Sequence, residues 1–198
     1  MNWITENIEL IGNLIIVKPL DVNDFDELIN SSQDEIIWKF LPTNGTDKNL
    51  LRKELELALV EKEKGNQYPF IVIEKATNKI IGCTRFIKMN QVYLNLEIGW
   101  TWFLPPYWGK GYNDECKLLL LTYCFENLKT IRVQIVANVF NLPSRNAIER
   151  IGGKFEGILR KKVLRADGPR TLAYYSIIDE EWDQVKTNLT SLIKSKHL

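Results

Sequence analysis

The stretch PPYWGKGYN, residues 105–113, joins a predicted strand to a predicted helix through two closely spaced glycines. Gly109 and Gly111 allow the backbone to turn tightly and to point several N–H groups in one direction. The helix that follows adds unpaired N–H groups and a partial positive charge at its N-terminus. The stretch therefore predicts an anion site of about the size of a phosphate group.

Two familiar phosphate-binding motifs do not match this stretch. No Ser or Thr follows a Gly-Lys pair at the Walker A spacing, and the third glycine of the dinucleotide fingerprint is missing. A G-x-G pair alone is also compatible with an ordinary strand-to-helix turn. The sequence on either side has to decide between the two interpretations.

The flanking segments predict a strand with a bulge before the turn and a covered helix after it. Gly99 lies inside the strand VYLNLEIGWTWF and indicates a bulge or a close backbone approach. The helix that follows is apolar almost all round, so it is covered on most sides. Strands are predicted at Leu14–Leu20, Tyr68–Glu74, Ile80–Lys88, Val92–Phe103, Ile131–Val136, Ile158–Leu164 and Thr171–Ile177, and helices after Asp21, over Leu50–Lys64, Asp114–Leu128 and Asn141–Ile151, and from about Glu180.

This order of elements mixes hairpins with strand–helix–strand crossovers. It predicts an α+β fold with a mostly antiparallel, mixed sheet and one parallel junction, where the helix Asp114–Leu128 crosses over. We find no linker or repeat that divides the chain, so residues 1–198 are expected to form a single domain.

Composition and charge exclude several classes of function. The 198 residues carry 26 Lys and Arg against 25 Asp and Glu, and this balance disfavours a nucleic-acid binder. Neither a signal-peptide pattern nor a run of about 20 apolar residues is present, so no membrane partner is expected. Three cysteines without a CxxC pair and a lone histidine, His197, argue against disulfides, a metal site and histidine chemistry, and indicate a cytoplasmic protein.

The segments EIGW, PPYWGKGYNDECK and NLPSRNAIERIGGKFEG resemble the GNAT superfamily of acyl-CoA-dependent N-acetyltransferases. The likeness covers roughly residues 12–182 and is strongest to the branch of ribosomal-protein alanine N-acetyltransferases. In the family the loop reads Gln/Arg-x-x-Gly-x-Gly/Ala. Here Trp108 takes the first position, Gly111 the glycine position and Asn113 the last, so two of the three positions depart from the usual residue.

The resemblance implies that backbone amides of the loop bind the pyrophosphate of acetyl-CoA. The pantetheine arm would lie as an added strand in a gap beside the bulge, which is expected near Trp100 to Trp102, with backbone groups of Phe103 and Leu104 pairing to it. A GNAT-like domain of this kind has helices on both faces of the sheet. The implied cofactor-binding residues are Phe103, Leu104, Trp108, Gly109, Lys110, Gly111, Tyr112, Asn113 and Asn141.

Asn141 and Ser144 open the next predicted helix. As N-cap, Asn141 accepts an N–H from the first turn, and Ser144 is the expected donor because Pro143 has none. The resemblance adds a cofactor contact for Asn141 and, for Ser144, protonation of the departing CoA thiolate. A simple helix cap remains the alternative.

Glu97 is the candidate general base, because some family members keep a catalytic glutamate at this place. A glutamate paired across the sheet, with a water chain as base, is the alternative interpretation. Trp38, Phe40 and Tyr174 would line the substrate face, although aromatic residues at such places are also common in the core.

The resulting hypothesis is an enzyme that moves an acetyl group from acetyl-CoA to a primary amine by direct attack in a ternary complex. The acceptor is a protein N-terminus or a small-molecule amine, and no metal takes part. A non-catalytic acyl-CoA-binding or regulatory module is the alternative. Dimers are common among similar proteins, so a homodimer is a possible assembly.

Overall fold

The computed structural model describes residues 3–196, which form eight strands and six α-helices. His197 lies outside the described residues. The strands are β1 (Leu10–Ile11), β2 (Ile15–Pro19), β3 (Gln67–Glu74), β4 (Lys79–Asn90), β5 (Asn95–Phe103), β6 (Arg132–Asn138), β7 (Lys154–Arg165) and β8 (Gly168–Ile178). The helices are α1 (Phe25–Ser31), α2 (Glu35–Trp38), α3 (Lys48–Glu63), α4 (Tyr112–Thr122), α5 (Leu142–Arg150) and α6 (Trp182–Ser195).

All eight strands belong to one sheet in the order β1-β2-β3-β4-β5-β6-β8-β7. Only β5 and β6 run parallel, and α4 connects them, whereas every other neighbouring pair is antiparallel. The predicted α+β fold, with a mostly antiparallel mixed sheet and one parallel junction, is therefore confirmed.

Two apolar cores lie on opposite faces of this sheet. One core includes Phe86, Leu120 and Trp182, and it packs α4 and α6 against one face. The other includes Phe25 and Leu51 and packs α1, α2 and α3 against the other face. Along β3, successive side chains alternate between the two cores, with Phe70 and Val72 in the first and Ile71 and Ile73 in the second, as the pleat requires. Helices on both faces were predicted and are confirmed.

The local sequence signals explain where the first helix begins. Asp21 accepts from the amide of Asn23, and Asp24 accepts from the amide of Asp21, which together form a capping box. This box starts a short 3-10 turn that continues into α1 at Phe25. The helix predicted after Asp21 is confirmed.

Three predicted strand starts are wrong: β8, expected from Thr171, begins at Gly168, and the other two differences have a local cause. The strand expected from Val92 begins at Asn95, because the Asn90 side chain accepts from the amide of Tyr93 and closes a turn. The strand expected from Ile158 already begins at Lys154, since a register shift beside Gly157 interrupts the alternation of side chains.

Two short elements, β1 and α2, were not predicted at all. The helix expected over Asp114–Leu128 starts two residues earlier, at Tyr112, and its last turn, Tyr123–Asn127, is π-helical. In the described part of the chain, no helix combines the length and the apolar character needed to cross a bilayer.

Candidate active site

A gap opens in the middle of the sheet between β5 and β6. These strands pair at only three positions, and the last of them joins Glu97 to Gln134. Beyond this pair both strands continue, β5 as far as Phe103 and β6 as far as Asn138, without pairing to each other. The backbone groups of β5 that face the gap are therefore available to a ligand that lies along the strand.

A bulge in β5 lies where the gap opens. The register against β4 shifts between the Arg85–Gly99 and Cys83–Trp102 pairs, and Trp100 has a φ of +52°. Two residues, Trp100 and Thr101, thus stand opposite Thr84 alone. The predicted bulge near Trp100 to Trp102 is confirmed.

The glycine loop presents a row of free backbone donors at the end of this gap. Within the described part of the chain, the N–H groups of residues 109–114 have no hydrogen-bond acceptor, whereas the amide of Glu115 donates to the Gly111 carbonyl at 2.9 Å. Gly111 is the N-cap of α4 with φ +88°, and Gly109 has φ +74°. Both values lie in the left-handed region that favours glycine, and no side chain caps the helix. This arrangement is that of an anion site.

Basic side chains surround the loop. Asp114, buried at 1 % exposure, accepts from Arg150 at 2.8 Å and from Lys196 at 2.6 Å. Two cations share one carboxylate, so the cluster keeps a net positive charge. It lines a small cavity of about 40 Å³ together with Phe103, Tyr107, Trp108, Gly109, Gly111 and Asn113. The exposed Lys110 adds a further cation.

Two tyrosines attach the loop to β3. Tyr112 and Tyr107 donate to the two carboxylate oxygens of Glu74 at 2.6 and 3.1 Å. The hydrogen bond to Glu74 raises the pKa of Tyr112 to about 12, and hydrogen bonds, first of all that from Thr77, lower the pKa of Glu74. The side chain of Tyr112 is thus occupied within the fold, and its backbone amide is the group left for an anion.

Trp108 turns back onto the strand that precedes the loop. Its indole Nε1 donates to the Phe103 carbonyl at 2.7 Å. The amide of Leu104 donates to the Ile81 carbonyl of β4 at 2.8 Å, so this amide faces away from the gap. Any contact of Leu104 with an arm in the gap therefore involves its other atoms, while the Phe103 carbonyl already accepts one hydrogen bond, from the indole, and keeps its second lone pair.

On the other side of the gap, α5 begins at the predicted cap. The Asn141 Oδ1 accepts from the Ser144 amide at 3.2 Å, which confirms the predicted cap and donor. The Asn141 side-chain amide and the Ser144 hydroxyl are not bonded to any described residue. Capping thus leaves one polar group on each of the two residues for other contacts.

Glu97 is buried at 6 % exposure on the face of the sheet that carries α1 to α3. Its Oε2 accepts from Lys88 Nζ at 2.6 Å and from Gln134 Nε2 at 2.7 Å. Its Oε1 has no donor among the described residues. The side chain is therefore held across the sheet, as the alternative interpretation expected, while one oxygen is still free to accept a proton.

The three aromatic residues expected on the substrate face lie in different environments. Trp38 is 5 % exposed, donates to the Ser32 carbonyl and packs on Trp102 at 5.2 Å between ring centroids, so it is part of the core. Phe40 and Tyr174 are half-buried. Sequence reasoning missed Arg165, whose guanidinium donates to the carbonyls of Phe40 and Leu41 at 3.2 and 2.6 Å. This contact joins the β7–β8 hairpin to the segment after α2.

Comparison with known proteins agrees with this geometry. A family profile described as "Acetyltransferase (GNAT) domain" matches residues 14–154. The "Uncharacterized N-acetyltransferase YnaD" of Bacillus subtilis (strain 168) is 28 % identical over 170 residues, which are 85 % of this chain and 96 % of that protein. YdaF of the same organism, whose name assigns it provisionally to the ribosomal N-acetyltransferases, is 29 % identical over 175 residues, or 86 % of this chain and 93 % of YdaF.

Solved structures show the same architecture. A GCN5-related N-acetyltransferase from Brucella melitensis superposes with a TM-score of 0.87 at 25 % identity, over 96 % of this chain and 86 % of that one. Mycobacterium smegmatis RimJ in complex with CoA-disulfide has the same fold, with a TM-score of 0.78 at 18 % identity over 94 % and 93 % of the two chains. With the split sheet and the glycine loop in place and the profile covering most of its length, the chain belongs to the GNAT acetyltransferase family.

Proposed function

We propose that this enzyme transfers the acetyl group of acetyl-CoA to a primary amine in a ternary complex. The observation that carries the proposal is the row of unpaired amides at residues 109–114 at the end of the gap between β5 and β6. The open length of β5 along the gap suits a ligand with an extended arm, and the row of amide donors suits a terminal diphosphate on that ligand.

The residues present fit acetyl-CoA. The amides of residues 109–114, with the side chains of Lys110 and Arg150 nearby, would hold the diphosphate. The Phe103 backbone and the free side-chain amide of Asn141 would contact the arm from the two sides of the gap. Because backbone groups make the diphosphate contacts, the unusual side chains at Trp108 and Asn113 are compatible with binding.

Acetyl-CoA supplies the acetyl group as a thioester. The amine nitrogen forms a bond to the acetyl carbon while the carbon–sulfur bond breaks, and the amine loses one proton. Glu97 takes that proton at its free Oε1, directly or through a water molecule, and the Ser144 hydroxyl donates a hydrogen bond or a proton to the departing thiolate. The absence of an activated nucleophile in the described site favours direct attack over an acyl-enzyme.

The acceptor enters from the face of Glu97, beside the half-buried Phe40 and Tyr174. A protein N-terminus and a small-molecule amine both present the required primary amine. The name of YdaF favours a ribosomal protein as acceptor, and an N-terminal peptide therefore belongs in the first screen.

The test is release of CoA thiol by the purified full-length chain with acetyl-CoA and a panel of N-terminal peptides and small amines. Mass spectrometry of the acceptor should show the gain of one acetyl group. Gly111→Val serves as the variant without cofactor binding, and Gly65→Val, which places the same strain at another positive-φ glycine at the end of α3, is its matched control. Binding of acetyl-CoA without transfer to any acceptor would instead support a non-catalytic module.

A further inference from the structure

Lys117 and Thr101 form a polar contact beneath the part of β5 that β6 leaves open. Lys117 is 4 % exposed, and its Nζ donates to Thr101 Oγ1 at 2.8 Å. Thr101 Oγ1 also lies 2.7 Å from Thr84 Oγ1. Between residues 3 and 196, no carboxylate forms an ion pair with Lys117, so the burial of its charge is not offset. A lysine in this environment costs stability, which points to another reason for its presence.

The charged groups around Lys117 are directed elsewhere. On its own helix, Asp114 is paired with Arg150 and Lys196, and Glu115 binds the amides of the turn before β2. Glu97 of β5 lies on the opposite face of the sheet. The neighbouring Cys116 is a neutral thiol, since burial raises its pKa to about 11.

From β5 the Thr101 hydroxyl accepts from the ammonium, and this hydroxyl lies against that of Thr84 on β4. Burial lowers the pKa of Lys117 to about 8. The side chain therefore carries its charge at neutral pH and loses it in mildly alkaline solution.

The hydroxyl protons of Thr84 and Thr101 can be arranged in two ways. A hydroxyl has one proton to donate and two lone pairs to accept. Thr84 Oγ1 is buried and lies 2.7 Å from Thr101 Oγ1, and either hydroxyl can be the donor of this bond. Lys117 donates to Thr101 Oγ1. In the arrangement in which Thr84 donates, both lone pairs of Thr101 are occupied and its own proton is free for a group in the gap.

We propose that Lys117 is a positioning residue for acetyl transfer, which holds the Thr101 hydroxyl so that it donates to the carbonyl oxygen of the bound acetyl group. The inference rests on the proposed function. The nearby ammonium polarises this hydroxyl and favours the negative charge that grows on the carbonyl oxygen during attack. Lys117 gives up no proton in this role.

The test compares Lys117→Met and Thr101→Val with the conservative variants Lys117→Arg and Thr101→Ser. Lys194→Met, an exposed lysine of α6, is the matched control. We expect Lys117→Met and Thr101→Val to lower kcat about tenfold or more, with little change in the KM for acetyl-CoA. The control should keep the parental kcat, whereas Thr101→Ser should keep more of it than Thr101→Val, and Lys117→Arg more than Lys117→Met.

Two further readouts separate this role from a structural one. Calorimetry should show that Thr101→Val and Lys117→Met lose the preference for acetyl-CoA over CoA, because the acetyl carbonyl has lost its donor. In the pH profile, kcat of the parent should fall as the pH rises through about 8, and this fall should be absent from Lys117→Met.

The inference is overturned if folded Lys117→Met keeps the parental kcat and the parental preference for acetyl-CoA. It is also overturned if the affinities of the variant for CoA and for acetyl-CoA fall by the same factor and its melting temperature falls as well. If the parent transfers the acetyl group to no amine, the proposed function fails. The ratio of the affinities for acetyl-CoA and CoA still tests the Thr101 contact in that case. If Thr101→Val alone fails to fold, the double variant Lys117→Met with Thr101→Val is measured in its place.

Discussion

Glu115 of α4 accepts from the amide of Asn13 at 2.7 Å, although 102 positions of sequence separate the two residues. The same carboxylate accepts from the amides of Leu14 and Ile15 at 2.9 and 3.1 Å. Three consecutive N–H groups thus surround one buried anion, and they tie the start of β2 to the first turn of α4. Because the glycine loop leads directly into that turn, the contact also fixes the direction in which the free amides of the loop point.

Replacement of Glu115 by Gln should destabilise the protein by about 2 kcal/mol, since the neutral amide replaces one acceptor oxygen with a donor and loses charge-assisted bonds. The free energy of unfolding from urea titration measures the effect. Glu56→Gln, at an exposed position in the middle of α3, is the control and should change it by less than about 0.5 kcal/mol. An equal effect of the two variants would contradict the role given to Glu115.

The Ser144 hydroxyl is expected to act on the leaving thiolate. Ser144→Ala should lower kcat roughly tenfold or more while it weakens acetyl-CoA binding much less. The helix cap should survive, because Asn141 binds the backbone amide of residue 144 and not the hydroxyl. Steady-state kinetics with calorimetry of CoA binding checks both parts, and an unchanged kcat would reduce Ser144 to a residue of the helix turn.

Glu97 is expected to accept the amine proton at its free oxygen. Glu97→Gln should flatten the acidic limb of the pH profile of kcat/KM, because the variant has no carboxylate to be protonated as the pH falls. The affinity for CoA should change little, since Glu97 lies beside the gap and not at the loop. An acidic limb that persists in the variant would assign it to the substrate amine or to water.

The glycine loop is expected to depend on backbone freedom more than on side chains. Gly111→Val forces a β-branched residue to a φ of +88° and should abolish CoA binding in a folded protein. Gly65→Val, with its φ of +75°, should cost similar stability and keep CoA binding. Trp108→Arg, which restores the more common family residue, should bind CoA at least as tightly as the parent. Calorimetry with CoA, dephospho-CoA and pantetheine checks these expectations, and pantetheine binding as tight as CoA binding would contradict them.

Lys117 is expected to oppose stability while it supports catalysis. Its pKa is about 8 in the folded protein against a normal value of 10.5, so between these values the unfolded chain binds more protons and stability rises with pH. Below pH 8 the buried charge of Lys117 lowers the free energy of unfolding by its full amount, on the order of 3 kcal/mol. Lys117→Met should therefore unfold at a higher temperature than the parent at pH 7, and the difference should shrink toward pH 10. A lower melting temperature of the variant at pH 7 would contradict this expectation.

The order of elements and the place of the bulge could be predicted because both follow from local signals. Hydrophobic periodicity and the residues that end helices locate the elements, and Gly99 inside a strand indicates the bulge, which the resemblance to the family places near Trp100. The turn at Asn90 was missed because one side-chain contact to Tyr93 outweighed the strand character of the apolar residues there. The start of β7 was missed because Gly157 interrupts the alternation.

Contacts within the site were harder to foresee, since they join residues distant in sequence. One signal was available: Lys117 stands in the apolar run of a helix that was expected to be covered on most sides, so its burial could have been inferred. Its partner Thr101 could not, because the contact depends on how α4 crosses β5. The same holds for Arg165, which reaches Phe40 across 125 positions of sequence.

The three-pair junction between β5 and β6 also divides the sheet mechanically. On one side lie β1 to β5 and on the other β6, β8 and β7. Among residues 3–196, three residue pairs are the only ladder contacts that join these two plates, namely Asn95–Arg132, Leu96–Val133 and Glu97–Gln134. A seam this short lets the plates open against each other more readily than strands paired along their full length. A molecule that bonds to both plates at once closes the seam, so occupancy of the gap should slow amide exchange in the strands on both sides of it.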